Sequence, residues 1–341
     1  MKENYDPWLI KIEDYPQEGS FKDQLKFLIG FGILAPSGHN SQPWQFRISS
    51  NQIDVFVDSN RSLTRSDPEK RQLLISIGCA IENILIAADF YGNKVEIEYF
   101  PNSDDKIPIV ALKFFDRNFK MGDNRLISSI LKRATNRKPF ENKPIEPNIL
   151  TLLESLNTES TKINIISNPK IKNKLADIVN KAEIEIMGRN YFREELSEYV
   201  KSNFTKSKLG MPGFTQGIPD LVSFFASKLI RKINFAKVNR KKNDKLLKEH
   251  TPALIIVSTK GDDNQAKIEA GRFFERVWII AESNNLKLSP LAAPTQMDNY
   301  SEDVRRVINT NFKPQIISRI GYCKKGVRHT PRLSVKEVII K

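Results

Sequence analysis

The sequence predicts an α+β fold assembled from two diverged copies of one unit. Two observations carry this reading: helices and strands follow one another in a similar order in each half, and three helix residues recur at a constant offset. Gly78 and Gly271, Glu82 and Glu275, and Ala88 and Ala281 each lie 193 positions apart without a gap, the kind of register a distant duplication leaves. The 341 residues, 40% of them hydrophobic, supply enough apolar material for one large or two ordinary domains.

The first half opens with a helix over about 21–34, then a loop, then strands around 46–48 and 53–57. A long helix follows. Asp67 suits its N-cap, Pro68 its first helical position, the run LLISIGCAIENILIAADFY its body and Gly92 its stop. The run is apolar on nearly every side, so the helix is expected at the centre of the core. Strands at VEIEYF and IPIVALKFF complete this half, joined by an acidic linker at 102–105.

The second half begins with a helix near 126–134 and continues through PIEPNILTLLESL, a strand KINII and a charged helical stretch over 172–201. A strand ALIIVST, a helix AGRFFERVWIIAESNN, a strand LKLSPL and a strand-rich tail close the chain. Residues 188–249 have no counterpart in the first half and contain GMPGFTQGIPD. An insertion of this size is either a lid or binding element, or a plain surface excursion.

Bulk properties exclude several classes. No uninterrupted apolar stretch reaches the roughly 20 residues of a bilayer span, and the start MKENYDPWLIKIEDY is unlike a signal peptide, so a cytoplasmic protein without a membrane partner is expected. Cys79 and Cys323 have no second thiol at metal or redox spacing, so neither a disulfide framework nor a metal site is expected. The net charge of +14 attracts anions without selecting one. Its densest run, 231–248, mixes Lys with Asn and Asp and has only Phe235 as an aromatic, which reads as a solvated helix and not as a nucleic-acid surface.

Two segments carry chemistry. In APSGHNSQPWQF, Pro36, Ser37 and Gly38 form a tight turn after a helix, Gly38 being free to take a positive φ and admit a flat ligand to the main chain. Ser37, Asn40 and Gln42 offer hydroxyl and amide groups to the edge of a heterocycle, and Trp44 anchors the next strand. The same pattern also suits an ordinary helix–turn–strand junction whose polar side chains satisfy the loop. In KRATNRKPF, Arg133, Thr135 and Arg137 alternate and can grip a phosphate together, or simply complement a helix C-terminus.

The first segment closely resembles the ring-facing loop of the nitroreductase superfamily, and KRATNRKPF resembles the element with which those chains grip the phosphate of FMN. The resemblance implies two tandem nitroreductase-like repeats, each a mostly antiparallel sheet flanked by helices, at 1–118 and 119–341, forming an intramolecular pseudo-dimer. It implies that Pro36, Ser37, Gly38 and Asn40 contact the flavin and that Arg133, Thr135 and Arg137 hold its phosphate. SPLAAP resembles the loop beside the N5 side of the ring, making Pro290, Leu291 and Ala292 candidates for backbone contacts, with Ala292 where an acid is common. GYCKKGVRHTPRLSVKEVI resembles the closing tail, in which Arg332 and then Arg328 complete the phosphate site; both also fit a strand-flanking surface.

Each half lacks what the other has, so one complete site is expected from two incomplete repeats. The whole chain is similar to the Acg-like FMN-binding oxidoreductases, which share the DP-x-x-R element seen here as Asp67, Pro68 and Arg71. The resemblance implies a reduced nicotinamide or other donor, FMN, a small electron-poor acceptor and no essential acid–base side chain. His39 is read as a loop residue. The rival reading is an FMN-sequestering protein whose flavin face is covered by 188–249. Either a monomeric pseudo-dimer or a homodimer is compatible.

Overall fold

Two four-stranded antiparallel sheets organise the chain, and their strand orders correspond. The computed structural model describes residues 3–101, 108–117, 122–324 and 326–341; the acidic linker at 102–105 lies outside them. The first sheet contains β1 (Trp44–Ser49), β2 (Gln52–Val57), β3 (Asn93–Tyr99) and β4 (Val110–Arg117) in the order β1-β2-β4-β3. The second contains β5 (Thr161–Ile166), β8 (Ala253–Thr259), β9 (Leu286–Pro290) and β10 (Lys313–Tyr322) in the order β5-β8-β10-β9. In each the first strand lies at one edge and the third at the other. Strand β8, ALIIVST, is buried along its full length, as its continuous apolar run requires.

The helices fall as the punctuation directs. Helix α1 (Phe21–Gly32) is capped by Ser20, whose side chain accepts from the Asp23 amide. Helix α2 (Arg71–Phe90) ends before Gly92, which takes φ 74° and closes the turn. Its start differs from expectation: Lys70, at φ 56°, precedes the first helical residue and Pro68 lies outside the helix. Asp67 still performs the cap from that distance, its carboxylate accepting from the Gln72 and Leu73 amides. Helix α2 is long and apolar enough to cross a bilayer, but it is buried inside the protein.

The second half supplies α3 (Asn124–Lys132), α4 (Pro147–Glu154), α5 (Pro169–Gly188), α11 (Asn264–Ser283) and α12 (Asp298–Val307). Within the insertion lie α6 (Asn190–Tyr199), the short parallel pair β6 (Val200–Lys201) and β7 (Met211–Pro212), α7 (Asp220–Ser223), α8 (Ala226–Lys232), α9 (Phe235–Val238) and α10 (Arg240–Glu249). The tail contains one strand, β10, and the described residues between Tyr322 and α13 (Val335–Val338) form no helix or strand. Ile339 then bridges Phe46, and the Ile340 amide donates to the Phe46 carbonyl at 2.8 Å, so the chain's end returns to the first sheet.

The centre is the crossing of α2 and α11. A Cβ on Gly78 would stand 2.1 Å from the Ile268 carbonyl oxygen, and one on Gly271 would stand 2.1 Å from that of Ile75. Backbone therefore meets backbone. One turn beyond each glycine sits a buried acid. Glu82 receives Arg272 at 3.2 Å together with Arg276, and Glu275 receives Arg133 at 3.2 Å. Burial raises the Glu275 carboxyl to about 7, with Arg133 opposing and Glu82 adding to the rise. Gly78→Ala or Gly271→Ala is expected to cost about 3 kcal/mol, because the clash is with main chain that cannot swing aside. Chemical denaturation would check it, and an unchanged midpoint would contradict the contact.

Candidate functional site

Between α1 and β1 the chain makes a loop that the local sequence does not favour by itself. His39, Asn40 and Gln42 have φ of 51°, 57° and 53°, each in the left-handed region that costs a side-chain-bearing residue roughly 1 kcal/mol or more. Gly38, expected to take the positive φ, does not; its neighbours do. The conformation is held from outside. Ser37 Oγ accepts from the Gln42 amide at 2.9 Å, and Ser76 Oγ accepts from the Gly38 amide at 3.3 Å. Asn40 Nδ2 donates to the carbonyls of Gly210 and Pro331, both at 3.0 Å, while its Oδ1 accepts from Arg332 at 2.7 Å. Gln42 donates to the Lys208 carbonyl at 2.7 Å and accepts from the Leu333 amide at 2.9 Å.

The basic residues from the second half divide into two kinds. Arg133 and Arg332 are buried and engaged. Arg133 donates to the Leu34 carbonyl at 2.7 Å, pairs with Glu275 and lies 4.7 Å from the centre of the Trp278 ring. Arg332 donates to the Leu34 and Ala35 carbonyls at 3.0 Å and lies over Trp8, which stacks on His329. Burial, with Arg133 beside it, pushes the Arg332 guanidinium well below its ordinary value. Thus two arginines remote in sequence hold the last carbonyls before Pro36.

Thr135, Arg137 and Arg328 retain accessible surface. Arg137 approaches the Thr215 carbonyl at 3.5 Å and Met211 Sδ at 3.9 Å. The side chain is exposed, and desolvation by the protein around it still pushes its pKa down to about 10. Arg328 lies 3.9 Å from the centre of the Phe214 ring. Arg319, buried in β10, donates to the Asn136 carbonyl at 3.0 Å and that of Lys138 at 3.4 Å; burial and the nearby Arg137 bring it to about 10. None of these three arginines has a carboxylate salt-bridge partner among the described residues.

The insertion joins the two segments. Gly210 bonds Asn40 through both its amide and its carbonyl, and the next residue, Met211, meets Arg137. Glu195 accepts from the Arg65 and Ser66 amides at 3.0 and 2.8 Å, and His39 lies against Phe192 and Tyr199. Burial pushes His39 down to about 4, against the pull of Glu195 and with the help of Arg137, so it is neutral at pH 7. Its Nε2 and the Thr215 Oγ1 are buried without a partner.

Elsewhere the predicted positions scatter. Pro290 ends β9 beside the Arg319 strand, the Leu291 amide donates to the Ile317 carbonyl at 2.8 Å, and Ala292 is exposed. Pro36, Ser37 and Gly38 are half-buried. Arg71 is structural, pairing with Asp262 at 2.5 Å and bonding Gln315 so that the two halves are tied together. No group of metal-binding side chains occurs among the described residues. Arg319, Glu195 and Met211 were not anticipated; of these, only the charge of Arg319 inside the apolar strand KPQIISRIGY was a visible sign.

No family model matches the chain. Acg of Mycobacterium tuberculosis, provisionally named an NAD(P)H nitroreductase, is 23% identical over 331 residues, covering 93% of this chain and 95% of its own. A second protein of that organism with the same provisional name is 21% identical over 321 residues, covering 93% and 91%. Among solved structures, an FMN- and NADPH-dependent nitroreductase, NfnB of Sphigopyxis sp. strain HMH, superposes with a TM-score of 0.42 at 14% identity over 63% of this chain and 98% of that one.

Asn40→Ala would leave Arg332 and two buried carbonyls short of a partner. It is expected to cost about 1–3 kcal/mol and to loosen the insertion from the loop. Faster limited proteolysis between Asn203 and Gly217, with the rest of the chain still protected, would show this; unchanged cleavage would argue against the Asn40–Gly210 clasp.

Proposed function

We propose that this chain, similar over nearly its whole length to the Acg-like nitroreductases, is an FMN-dependent oxidoreductase that passes electrons from a reduced nicotinamide or other donor to a small electron-poor acceptor. One observation carries the reading: the loop at 36–42 and the arm at 133–137, from different halves of the sequence, both close on Gly210 and Met211. We also read 1–118 and 119–341 as tandem nitroreductase-like repeats forming a pseudo-dimer. The corresponding sheet orders and the mutual crossing at Gly78 and Gly271 support that reading.

The residues present fit FMN. Arg137 and Arg328 are exposed cations without a salt-bridge partner among the described residues, suited to an anionic tail, with Arg319 behind Arg137 and Thr135 adding a hydroxyl. Arg133 would join them only by releasing Glu275, so its present work, with Arg332, is to hold the Leu34 and Ala35 carbonyls and fix the approach to Pro36. Pro36, Ser37, Gly38 and Asn40 offer main chain and a hydroxyl to a flat ring, and Pro290, Leu291 and Ala292, at the end of β9, are read as further backbone contacts. The partnerless His39 Nε2 and Thr215 Oγ1 are the polar atoms such a ligand would satisfy. Bound FMN supplies the electron transfer, and the protein supplies orientation and access.

A second reading, storage of FMN, is favoured by the insertion, whose Lys208, Gly210 and Glu195 fasten it over the loop region. Oxidation of NADPH by the purified protein in the presence of a nitroaromatic separates the two: turnover identifies the enzyme, and tight FMN without turnover identifies storage. For the shared premise, the visible spectrum decides. The protein is expected to carry or take up FMN, and Arg137→Ala with Arg328→Ala to weaken it by roughly 100-fold or more, the loss of two charge-assisted contacts. A protein that stays colourless with added FMN rejects the assignment.

A further inference from the structure

The outer face of the insertion combines two properties that the candidate site does not use. Between Lys201 and Glu249 there are twelve basic and three acidic residues, nine of the chain's net +14. The same segment contains eight of the thirteen exposed large hydrophobic residues among the described residues. Leu221, Phe225, Leu229 and Ile233 recur every four residues. Phe224 and Phe225 both have right-handed backbone angles, so α7 runs into α8 with little interruption and the four share one side. Ser223, Ala226 and Ile230 take the opposite side and are buried. Leu221 is 80% exposed, Phe225 61% and Val238 69%.

Lys228 and Lys232 lie on the same helical run as this stripe, and Lys237, Arg240, Lys241 and Lys242 follow it in sequence; all six are exposed and without a salt-bridge partner among the described residues. An apolar stripe flanked by unneutralised cations is the composition of a segment that lies in a membrane–water interface. Lysine stems and the aromatic rings reach the acyl boundary while the ammonium groups stay at the headgroups. We propose that this face docks on an anionic lipid surface. Aliphatic side chains outnumber rings on this segment, Leu221, Val222, Leu229, Ile233 and Val238 against Phe204, Phe224 and Phe225, a composition that suits an acyl boundary better than base stacking. It also selects lipid over a second copy of this chain, whose matching face would bring cation against cation.

The expectation of no membrane partner came from the absence of a spanning segment. Surface docking needs none, and it does not depend on the cofactor reading. The test is co-sedimentation of the full chain with vesicles of phosphatidylcholine alone and with about one-third phosphatidylglycerol. Binding is expected to the anionic vesicles, and to fall steeply with added salt. Lys228→Glu with Lys232→Glu is expected to weaken it by roughly 30-fold or more, and Leu221→Ser with Phe225→Ser by roughly 10-fold or more. These side chains are exposed, so the thermal midpoint should hold and confirm folding. Three outcomes overturn the proposal: no co-sedimentation, binding that survives both double substitutions, or a concentration-dependent dimer that the Leu221→Ser and Phe225→Ser changes abolish.

Discussion

The close crossing of α2 and α11 is the constraint on which the rest depends. Because Gly78 and Gly271 bring two backbones into contact, side chains one turn away are forced into the same dry seam. There the sequence places acids, Glu82 and Glu275, and arginines remote in sequence make them tolerable, Arg272 and Arg276 for Glu82 and Arg133 for Glu275. An unpaired charge at this depth would cost several kcal/mol. The seam therefore specifies which elements meet as well as holding them. It also delivers Arg133 to the end of α1, where its guanidinium takes the Leu34 carbonyl.

From that point the candidate site follows by linkage. Arg133 and Arg332 hold the chain entering the loop, Asn40 and Gln42 tie it to the tail and the insertion, and the three positive φ values persist because so many partners over-determine them. What remains uncommitted is as informative as what is bonded. Arg137 and Arg328 are exposed without a salt-bridge partner among the described residues, and the carboxyl that acts on buried Arg319 is Glu183, itself pushed up to about 7 by burial.

Much of this was legible in the amino acids. The burial of α2 follows from an apolar run with no polar face, and its end from Gly92. The 193-residue offset marked the two glycines that touch and the two acids that are paired, although an offset says nothing of contact. Other features depend on partners hundreds of positions away and leave little local trace. Asp67 caps α2 from outside because Lys70 adopts a left-handed turn that no rule for Pro68 anticipates. Arg133 reads as a phosphate ligand in KRATNRKPF, yet its neighbours in space are Glu275 and Trp278. The strain at His39 and Gln42 has no glycine to announce it, since the bonds that stabilise it come from Lys208, Gly210 and Leu333.

The return of the tail to the first sheet bears on how such a molecule is made. Arg332 meets Asn40 across 292 positions, and Ile340 reaches Phe46 later still. A ribosome must release everything between those partners before the bonds can form. Until then, Ala35 lacks the guanidinium that holds it, and the first sheet waits with an uncovered edge. Contacts of such separation slow assembly and prolong exposure of half-built surfaces. The loop between α1 and β1 is thereby fixed only after residues 332–340 have been made.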